Sequence, residues 1–216
     1  MLENLFHPIS TQRWERKDRF EEYYYKHRCT FDVTSDIDAT PLKIYCEREG
    51  KDFYATLLYL VSKVINSDRT YRYDVSPYMG LGYWDVIHPE YTVYCDKLDM
   101  FMHACTKYDR DFDSFYDAAL SDMAQCRQGN GADKASMPAN RFFISYLPWR
   151  HFTGLNMNSE DDFKCLLPGL IIGKCRSEGG KELLPVSAKL HRASCDGKDA
   201  ADLFNMLEEE IAKLNG

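Results

Sequence analysis

The fold of this chain is decided by the stretch Leu184-Pro185-Val186-Ser187-Ala188-Lys189-Leu190-His191-Arg192-Ala193-Ser194-Cys195-Asp196-Gly197. Val186, Ala188 and Leu190 alternate with polar residues, which predicts a strand with one apolar face. Gly197 gives the backbone the freedom for a sharp exit from the strand. Further apolar residues then recur at helical spacing: Phe204, Leu207, Ile211 and Leu214. The stretch therefore predicts a strand, a tight turn and a helix with a buried stripe.

The composition is typical of one globular domain. Of the 216 residues, 44% are apolar and 14% aromatic, which is enough for one sizeable core, so we expect a single domain over residues 1–216. The net charge of -7 argues against nucleic-acid and anionic-membrane partners. No apolar run approaches the roughly 20 residues that span a bilayer. Since the first residues also do not resemble a secretion signal, we expect a cytoplasmic protein.

The eight cysteines contain no Cys-x-x-Cys pair and no tandem His/Cys spacing. The sequence therefore predicts neither a zinc site nor a redox pair. We expect the cysteines to be buried free thiols, since a free cysteine behaves as a small hydrophobe.

The rest of the chain mixes helical and extended patterns. Residues 53–66 predict a mostly buried helix, and residues 108–120 predict a surface helix. Between them, the β-branched and aromatic runs at 83–86, 91–94 and 100–104 predict strands. In the last of these runs, the side chains of Phe101 and His103 should point to the same side of the sheet.

The 184–197 stretch, read with the rest of the chain, resembles the chloramphenicol acetyltransferases. The family pattern His-His-Ala-Val-Cys-Asp-Gly-Phe-His stands at residues 191–199 as His-Arg-Ala-Ser-Cys-Asp-Gly-Lys-Asp. A second match, at residues 140–158, contains the family's Asn, Ser, Leu-Pro-Trp and Asn-x-Asn in order. The resemblance covers residues 10–214.

This resemblance implies an α/β two-layer sandwich, with a mixed β-sheet and helices on one side. It implies a homotrimer with active sites between subunits. The implied activity is acetyl transfer to the hydroxyl of a small-molecule acceptor, with acetyl-CoA as co-substrate and no metal.

The resemblance also implies roles for individual residues. Ser145 matches the serine whose hydroxyl binds the tetrahedral oxyanion. Arg16 matches the arginine whose salt bridge holds the signature aspartate, here Asp196. Four positions match the acceptor pocket of one subunit, which faces the signature loop of its neighbour: Tyr23, Phe101, His103 and Met157.

Two positions near the implied co-substrate site depart from the family. Ile171 stands where the family has a threonine that holds a water against the tetrahedral intermediate. Cys175 stands where the family has a tyrosine near the CoA tunnel. Both departures remove polar groups.

The main departure is Arg192, which takes the place of the family's general-base histidine. The match from Ser145 to Arg192 needs no insertion or deletion, so the register is firm. A guanidinium stays protonated near neutral pH and has no acceptor lone pair. A positioned base contributes about 10²- to 10⁴-fold in rate, so we expect weak or absent activity towards chloramphenicol.

Three side chains are candidates to replace the missing base. On an extended strand the His191 side chain leaves from the face opposite to that of residue 192, so only a bulge would turn it towards the reaction site. His103 qualifies if its ring enters the pocket. Cys195 requires a covalent acyl-thiol route, and the family has a cysteine there without using it as nucleophile.

The Arg192 side chain itself has two interpretations. In the first, it pairs with Asp196 or another carboxylate and fills the site, because burying an unpaired charge is costly. In the second, it binds an anionic ligand such as a carboxylate or nucleotide phosphates.

Three functional hypotheses follow. The first is an O-acetyltransferase of chloramphenicol acetyltransferase type with impaired chemistry. The second is a non-catalytic ligand- or CoA-binding homologue. The third is an acyltransferase for a different acceptor, such as one that carries its own reactive amine.

Overall fold

The structure, a computed structural model, describes residues 6–158, 161 and 164–215. Its strands are β1 (Phe6–Pro8), β2 (Thr30–Asp38), β3 (Tyr73–Ser76), β4 (Gly80–Trp84), β5 (His88–Cys95), β6 (Met100–Cys105), β7 (Arg141–Tyr146), β8 (Gly169–Ile172), β9 (Arg176–Glu178) and β10 (Lys181–His191). Its α-helices are α1 (Lys17–Phe20), α2 (Thr40–Glu49), α3 (Phe53–Ser67), α4 (Phe112–Arg127) and α5 (Gly197–Ala212). A π-helical turn, Glu21–Lys26, continues α1.

The main sheet is mixed. Its strand order is β2-β10-β8-β7-β5-β6, and β9 pairs with β10. Strand β7 runs parallel to β5 and β8, whereas the remaining pairs are antiparallel. A separate three-stranded sheet has the order β1-β4-β3. The predicted mixed sheet is confirmed.

Strand β10 is the longest strand and joins three others. It pairs with β2 from Leu183 to His191, and β8 and β9 lie on its other edge. Val186, Ala188 and Leu190 are completely or almost completely buried, as the alternation predicts. The opposite face is partly covered as well, because Ser187 is only 2% exposed and donates to the Leu155 carbonyl at 2.5 Å.

The predicted helix after Gly197 is α5. The Asp196 side chain caps it by accepting from the backbone N–H groups of Lys198 and Asp199, which satisfies donors that the helix leaves unpaired. Its buried stripe is Ala200, Leu203, Phe204, Leu207 and Ile211. The α5 helix packs against α3 and β2, and α3 also contacts α4. The main core therefore lies between the sheet and these helices.

A smaller apolar cluster supports the turn that follows β10. It consists of Trp14, Phe20, Tyr73, Leu81, Leu166 and Ala193. The Trp14 ring lies 5.8 Å from Phe20 and 4.8 Å from Tyr73, measured between ring centroids. This cluster joins α1 and the small sheet to Ala193 in the signature turn, residues 192–196.

All eight cysteines are free thiols. Cys46, Cys95, Cys126 and Cys195 are buried, but Cys165 is exposed, so the expectation that the thiols are buried is wrong for that residue. In the part of the chain that the structure describes, no helix is long and apolar enough to cross a membrane.

Gly173 provides a test of how closely the segments pack beyond β8. A Cβ atom there would lie 2.7 Å from the Phe152 ring, 2.8 Å from Pro185 and 2.9 Å from the Arg150 carbonyl oxygen. We therefore expect Gly173→Ala to lower the free energy of unfolding by about 1–3 kcal/mol, because overpacking forces the backbone to shift. Urea denaturation measures this change.

Gly169→Ala is the matched control, since a Cβ there meets only Lys189 Cβ at 4.0 Å. Its unfolding free energy should stay close to that of the parent protein. Equal losses in the two variants would contradict the close packing at Gly173.

Candidate active site

One row of residues across the main sheet is rich in hydroxyl groups. In the strand register, Thr34 lies opposite Ser187, Ser187 opposite Ile171, and Ile171 beside Ser145. Tyr91 on β5 pairs with Ile144 on β7, so the next residues on these parallel strands, Thr92 and Ser145, also lie side by side. Thr34 donates to Ser187 at 3.1 Å, and the Ser145 and Thr92 hydroxyl oxygens lie 3.2 Å apart.

Ser145, the predicted oxyanion donor, therefore has its hydroxyl oriented by Thr92. Sequence reasoning assigned no role to Thr92. The alternation within residues 91–94 placed it on a strand face, but which strand lies next to β5 is known only from the fold. A hydroxyl held in this way is chemically suited to donate a hydrogen bond to an oxygen that gains negative charge.

Thr92 lines a cavity of about 280 Å³. Phe101, one of the predicted acceptor-pocket residues, lies in its wall, and its ring centroid is 5.4 Å from that of Tyr94 and 5.9 Å from that of Trp149. The cavity is therefore largely aromatic beside a hydroxyl pair.

Ile171 and Cys175 bring no strong polar group to this region. Ile171 is buried on β8 and interrupts the hydroxyl row between Ser187 and Ser145. Cys175 follows β8 and packs against the main core. Burial raises the pKa of its thiol to about 11, so the thiol stays protonated at neutral pH.

The turn that follows β10 is organised by His191, which is 1% exposed. Its carbonyl accepts from the backbone N–H groups of Ser194 and Cys195, at 3.1 and 2.8 Å. Its Nδ1 atom accepts from the Ala193 N–H at 3.0 Å. Ser145 is level with Ser187 across the sheet, and His191 lies four residues further along β10, about 13 Å for an extended chain.

The Arg192 side chain rests on aromatic rings. Its guanidinium carbon lies 5.1 Å from the ring centroid of Tyr23 and 5.6 Å from that of Phe31. Among the described residues, no carboxylate forms an ion pair with Arg192. The predicted pairing with Asp196 is wrong, and cation–π contact stabilises the charge instead.

Arg16 also has a different partner from the predicted one. Its guanidinium binds both carboxylate oxygens of Asp199, at 2.9 and 3.1 Å, and donates to the Ser194 carbonyl. Asp196 instead pairs with Arg19 at 2.5 Å. The reason is the capping box, in which Asp199 reaches back to the Asp196 N–H at 2.7 Å and thereby faces Arg16.

Cys195 does not fit the covalent route. Its side chain is buried, and burial raises the pKa of its thiol to about 12. Because the thiolate is the nucleophile, a thiol with this pKa is unreactive at neutral pH.

His103 lies on β6 directly opposite Thr92. Its Nδ1 atom is 3.1 Å from a carboxylate oxygen of Glu90, and Arg141 Nε donates to the other oxygen at 2.7 Å. Sequence reasoning missed Glu90 and Arg141. The available signal was alternation on β5, which places Glu90 on the same face as Thr92.

Met157 lines a second, larger cavity of about 400 Å³. Its carbonyl accepts from Lys189 Nζ, and Glu90, Arg141 and His191 also line this cavity. Within one chain, Tyr23, Phe101 and Met157 therefore do not meet in a single pocket. Tyr23 lies against Arg192, whereas Phe101 and Met157 belong to different cavities.

No group of three or more His, Cys, Asp or Glu side chains that fits a metal ion occurs in residues 6–158, 161 and 164–215.

The fold class follows from comparison with solved structures. A structure described as chloramphenicol acetyltransferase has a TM-score of 0.85 at 20% identity, over 96% of this chain and 100% of that one. The predicted two-layer α/β fold of the CoA-dependent acyltransferases is confirmed.

Sequence comparison identifies the family. The chloramphenicol acetyltransferase family model matches residues 4–208. A chloramphenicol acetyltransferase of Staphylococcus aureus is 33% identical over 97% of this chain and 98% of its own length. One from Clostridium perfringens is 35% identical over 94% of each chain. The chain belongs to the chloramphenicol acetyltransferase family.

The ion pair of Asp196 allows a test of the signature turn by pH. The hydrogen bond from Arg19, followed by those from the start of α5, lowers the pKa of Asp196 from 3.8 to about 2. The stabilisation is therefore complete above pH 4 and is lost as the pH falls towards 2. We expect Asp196→Asn to lower the free energy of unfolding by about 2 kcal/mol at pH 7, and the difference to disappear near pH 2.

Asp202→Asn is the control, because Asp202 forms an exposed ion pair with Lys198 one helical turn away. Such pairs contribute little, so its stability should follow that of the parent protein across the range. A difference between Asp196→Asn and the parent that does not change with pH would show that the carboxylate charge is unimportant.

Proposed function

We propose that this protein is an acetyl-CoA-dependent O-acetyltransferase of chloramphenicol acetyltransferase type. It acts on a small hydroxylated molecule, at a rate lowered by the exchange of the base for Arg192. The observation that carries the proposal is the Ser145–Thr92 hydroxyl pair at 3.2 Å, in a chain of this family. No metal takes part.

Ser145 acts on the oxygen that gains charge during the reaction. The acceptor hydroxyl attacks the thioester carbonyl, and the negative charge that develops on the carbonyl oxygen is stabilised by a hydrogen bond from Ser145. Thr92 holds the serine hydroxyl in place before the reaction, so little reorganisation is needed. Removal of one such donor typically costs about 10²- to 10³-fold in rate.

The active enzyme is a homotrimer with its active sites between subunits. The signature turn is too far from Ser145 within one chain, since the step from Ser187 to His191 alone spans about 13 Å. A neighbouring subunit supplies the turn, so that Arg192 of one subunit faces the hydroxyl row of the next. The acceptor positions Tyr23, Phe101, His103 and Met157 then come from two subunits, because Tyr23 contacts Arg192 within its own chain.

The acyl donor approaches from the side of Ile171 and Cys175. Neither side chain is charged at neutral pH, because burial raises the pKa of the Cys175 thiol. We propose residues 1–216 as one domain, since the main core joins β2 near one end of the chain to α5 near the other. Its acyl donor is an intracellular metabolite, and we place the enzyme in the cytoplasm.

A second candidate function is a homologue that binds CoA or a small ligand without turnover. The contact of Arg192 with Tyr23 favours it, because the cation covers a ring that lines the acceptor pocket in the first proposal. An acceptor that carries its own amine would remove the need for a base. Measured activity separates these alternatives.

Restoring the base should restore the reaction. With acetyl-CoA and chloramphenicol, we expect the parent protein to release CoA thiol slowly and Arg192→His to raise kcat by about 10²-fold or more, in line with the contribution of a positioned base. A thiol reagent follows the reaction. Arg192→Lys is the control, because it restores no proton acceptor at neutral pH.

Rapid turnover of chloramphenicol by the parent protein would contradict the impairment. No gain from Arg192→His would show that the pocket has changed beyond the signature turn.

CoA binding is tested separately from turnover. If the donor site is intact, free CoA should raise the melting temperature of the parent protein in a concentration-dependent way, because a ligand that binds only the folded state stabilises it. Differential scanning fluorimetry measures the shift, with adenosine as a control ligand. A shift without any acetyl transfer supports the binding homologue, and no shift argues against both functions.

A further inference from the structure

Three charged or titratable residues form a cluster on the open side of the sheet, apart from the signature turn. This His103 cluster consists of His103, Glu90 and Arg141. Glu90 is only 8% exposed. One of its carboxylate oxygens is 3.1 Å from His103 Nδ1, and the other accepts from Arg141 Nε at 2.7 Å.

The hydrogen bonds of the cluster define which ring nitrogen is available. An ionised carboxylate only accepts hydrogen bonds, and each Glu90 oxygen faces a nitrogen, His103 Nδ1 at 3.1 Å and Arg141 Nε at 2.7 Å. His103 Nδ1 therefore carries the proton and donates to Glu90. In the neutral ring, the Nε2 atom keeps its lone pair and is the proton acceptor.

Arg141 is itself fixed, because its Nη1 atom donates to the Pro138 carbonyl at 2.6 Å. Two successive contacts therefore orient the His103 ring: Glu90 contacts the ring, and Arg141 contacts Glu90. A base oriented by a third group in this way is the arrangement that general-base catalysis needs.

The cluster lies beside the proposed oxyanion site. His103 on β6 is directly opposite Thr92 on β5, and the Thr92 hydroxyl is 3.2 Å from that of Ser145 on β7. Two strand spacings, about 10 Å in all, separate the backbones of His103 and Ser145. The Thr92 side chain lies between them on the same face of the sheet, so an acceptor hydroxyl that His103 deprotonates would lie above Thr92.

We propose that His103 is the catalytic base of the residual acetyl transfer, and that Glu90 and Arg141 are its positioning residues. The proposal rests on the proposed function, because it assigns the proton acceptor for the same reaction. It also accounts for a signature position, Arg192, that has no proton acceptor.

The reaction step balances as follows. The acceptor oxygen forms a bond to the thioester carbonyl carbon as its proton passes to His103 Nε2, and the carbonyl electron pair moves to the oxygen held by Ser145. When that pair returns, the carbon–sulfur bond breaks. The CoA sulfur leaves and takes the proton from the imidazolium, so that the products are an acetyl ester and CoA thiol.

The first test is His103→Ala, assayed with acetyl-CoA and chloramphenicol. We expect kcat to fall by about 10²-fold, the low end of the range for a positioned base, while KM for acetyl-CoA stays the same. Free imidazole added to this variant should restore part of the rate, because it supplies a proton acceptor in the vacated space. If His103→Ala does not fold, His103→Asn keeps a donor for Glu90 without a base.

His7→Ala is the matched control. His7 also contacts a carboxylate, Asp85 at 2.8 Å, but on the small sheet. Its removal should leave kcat unchanged, and imidazole should have no effect. An undiminished kcat in His103→Ala, or a loss that imidazole does not restore at all, would overturn the proposal.

The second test concerns the positioning residues. Glu90→Gln should lower kcat by about 10-fold or more without changing KM for acetyl-CoA. The glutamine amide can donate to His103 Nδ1, which places the ring proton on Nε2 and removes the proton acceptor. Combined with His103→Ala, it should cause little additional loss, since both changes remove the same function. Full additivity of the two losses would indicate a purely structural ion pair.

The third test separates this proposal from the proposed function. With Arg192→His as background, the signature base takes over, so His103→Ala should change kcat by less than about 3-fold. An equally large loss in both backgrounds would identify His103 as a packing residue. Transfer by Arg192→His but none by the parent protein would overturn the role of His103 and leave the proposed fold of the pocket intact.

If neither protein transfers acetyl groups, the proposal for His103 fails in either case. A thermal shift with CoA then assigns the protein to the binding homologues, and no shift shows that the proposed function fails too.

Discussion

The structure depends on the pairing of β10 with its neighbours. This strand pairs with β2 along one edge and with β8 and β9 along the other. It ends at His191, whose carbonyl accepts hydrogen bonds from two backbone N–H groups of the turn. Directly afterwards, Asp196 caps α5. One continuous segment thus positions the sheet, the signature turn and the helix that closes the core, so a change in its register would move all three.

The same segment determines which groups contact the positive charge of Arg192. The capping box commits Asp196 and Asp199 to the start of α5, where Arg19 and Arg16 neutralise them. No carboxylate of the turn is left for Arg192, and its guanidinium lies over aromatic rings instead. Such contacts stabilise a cation and require no second charge. The fold therefore accommodates a cation at residue 192 without a carboxylate partner from the turn.

Much of this architecture could be predicted from the sequence, because local pattern and motif agree there. The alternation from Val186 to Leu190 and the helical stripe after Gly197 specify β10 and α5, and the family motifs place Ser145 on a strand. The partner of Arg16 could not be predicted this way. Asp196 and Asp199 are three residues apart, and only the geometry of the capping box decides which of them faces which arginine.

The same limit explains why the His103 cluster is hidden in the sequence. Glu90, His103 and Arg141 come from three separate strands, and only the order β7-β5-β6 brings them together. Each alone resembles an ordinary strand residue with a polar side chain. On the sheet face, however, the nearly buried Glu90 carboxylate needs a hydrogen-bond partner for each oxygen, and Arg141 and His103 provide them. That requirement fixes the orientation of an imidazole next to the hydroxyl pair, and this is the reason for proposing that the sheet, rather than the signature turn, supplies the proton acceptor.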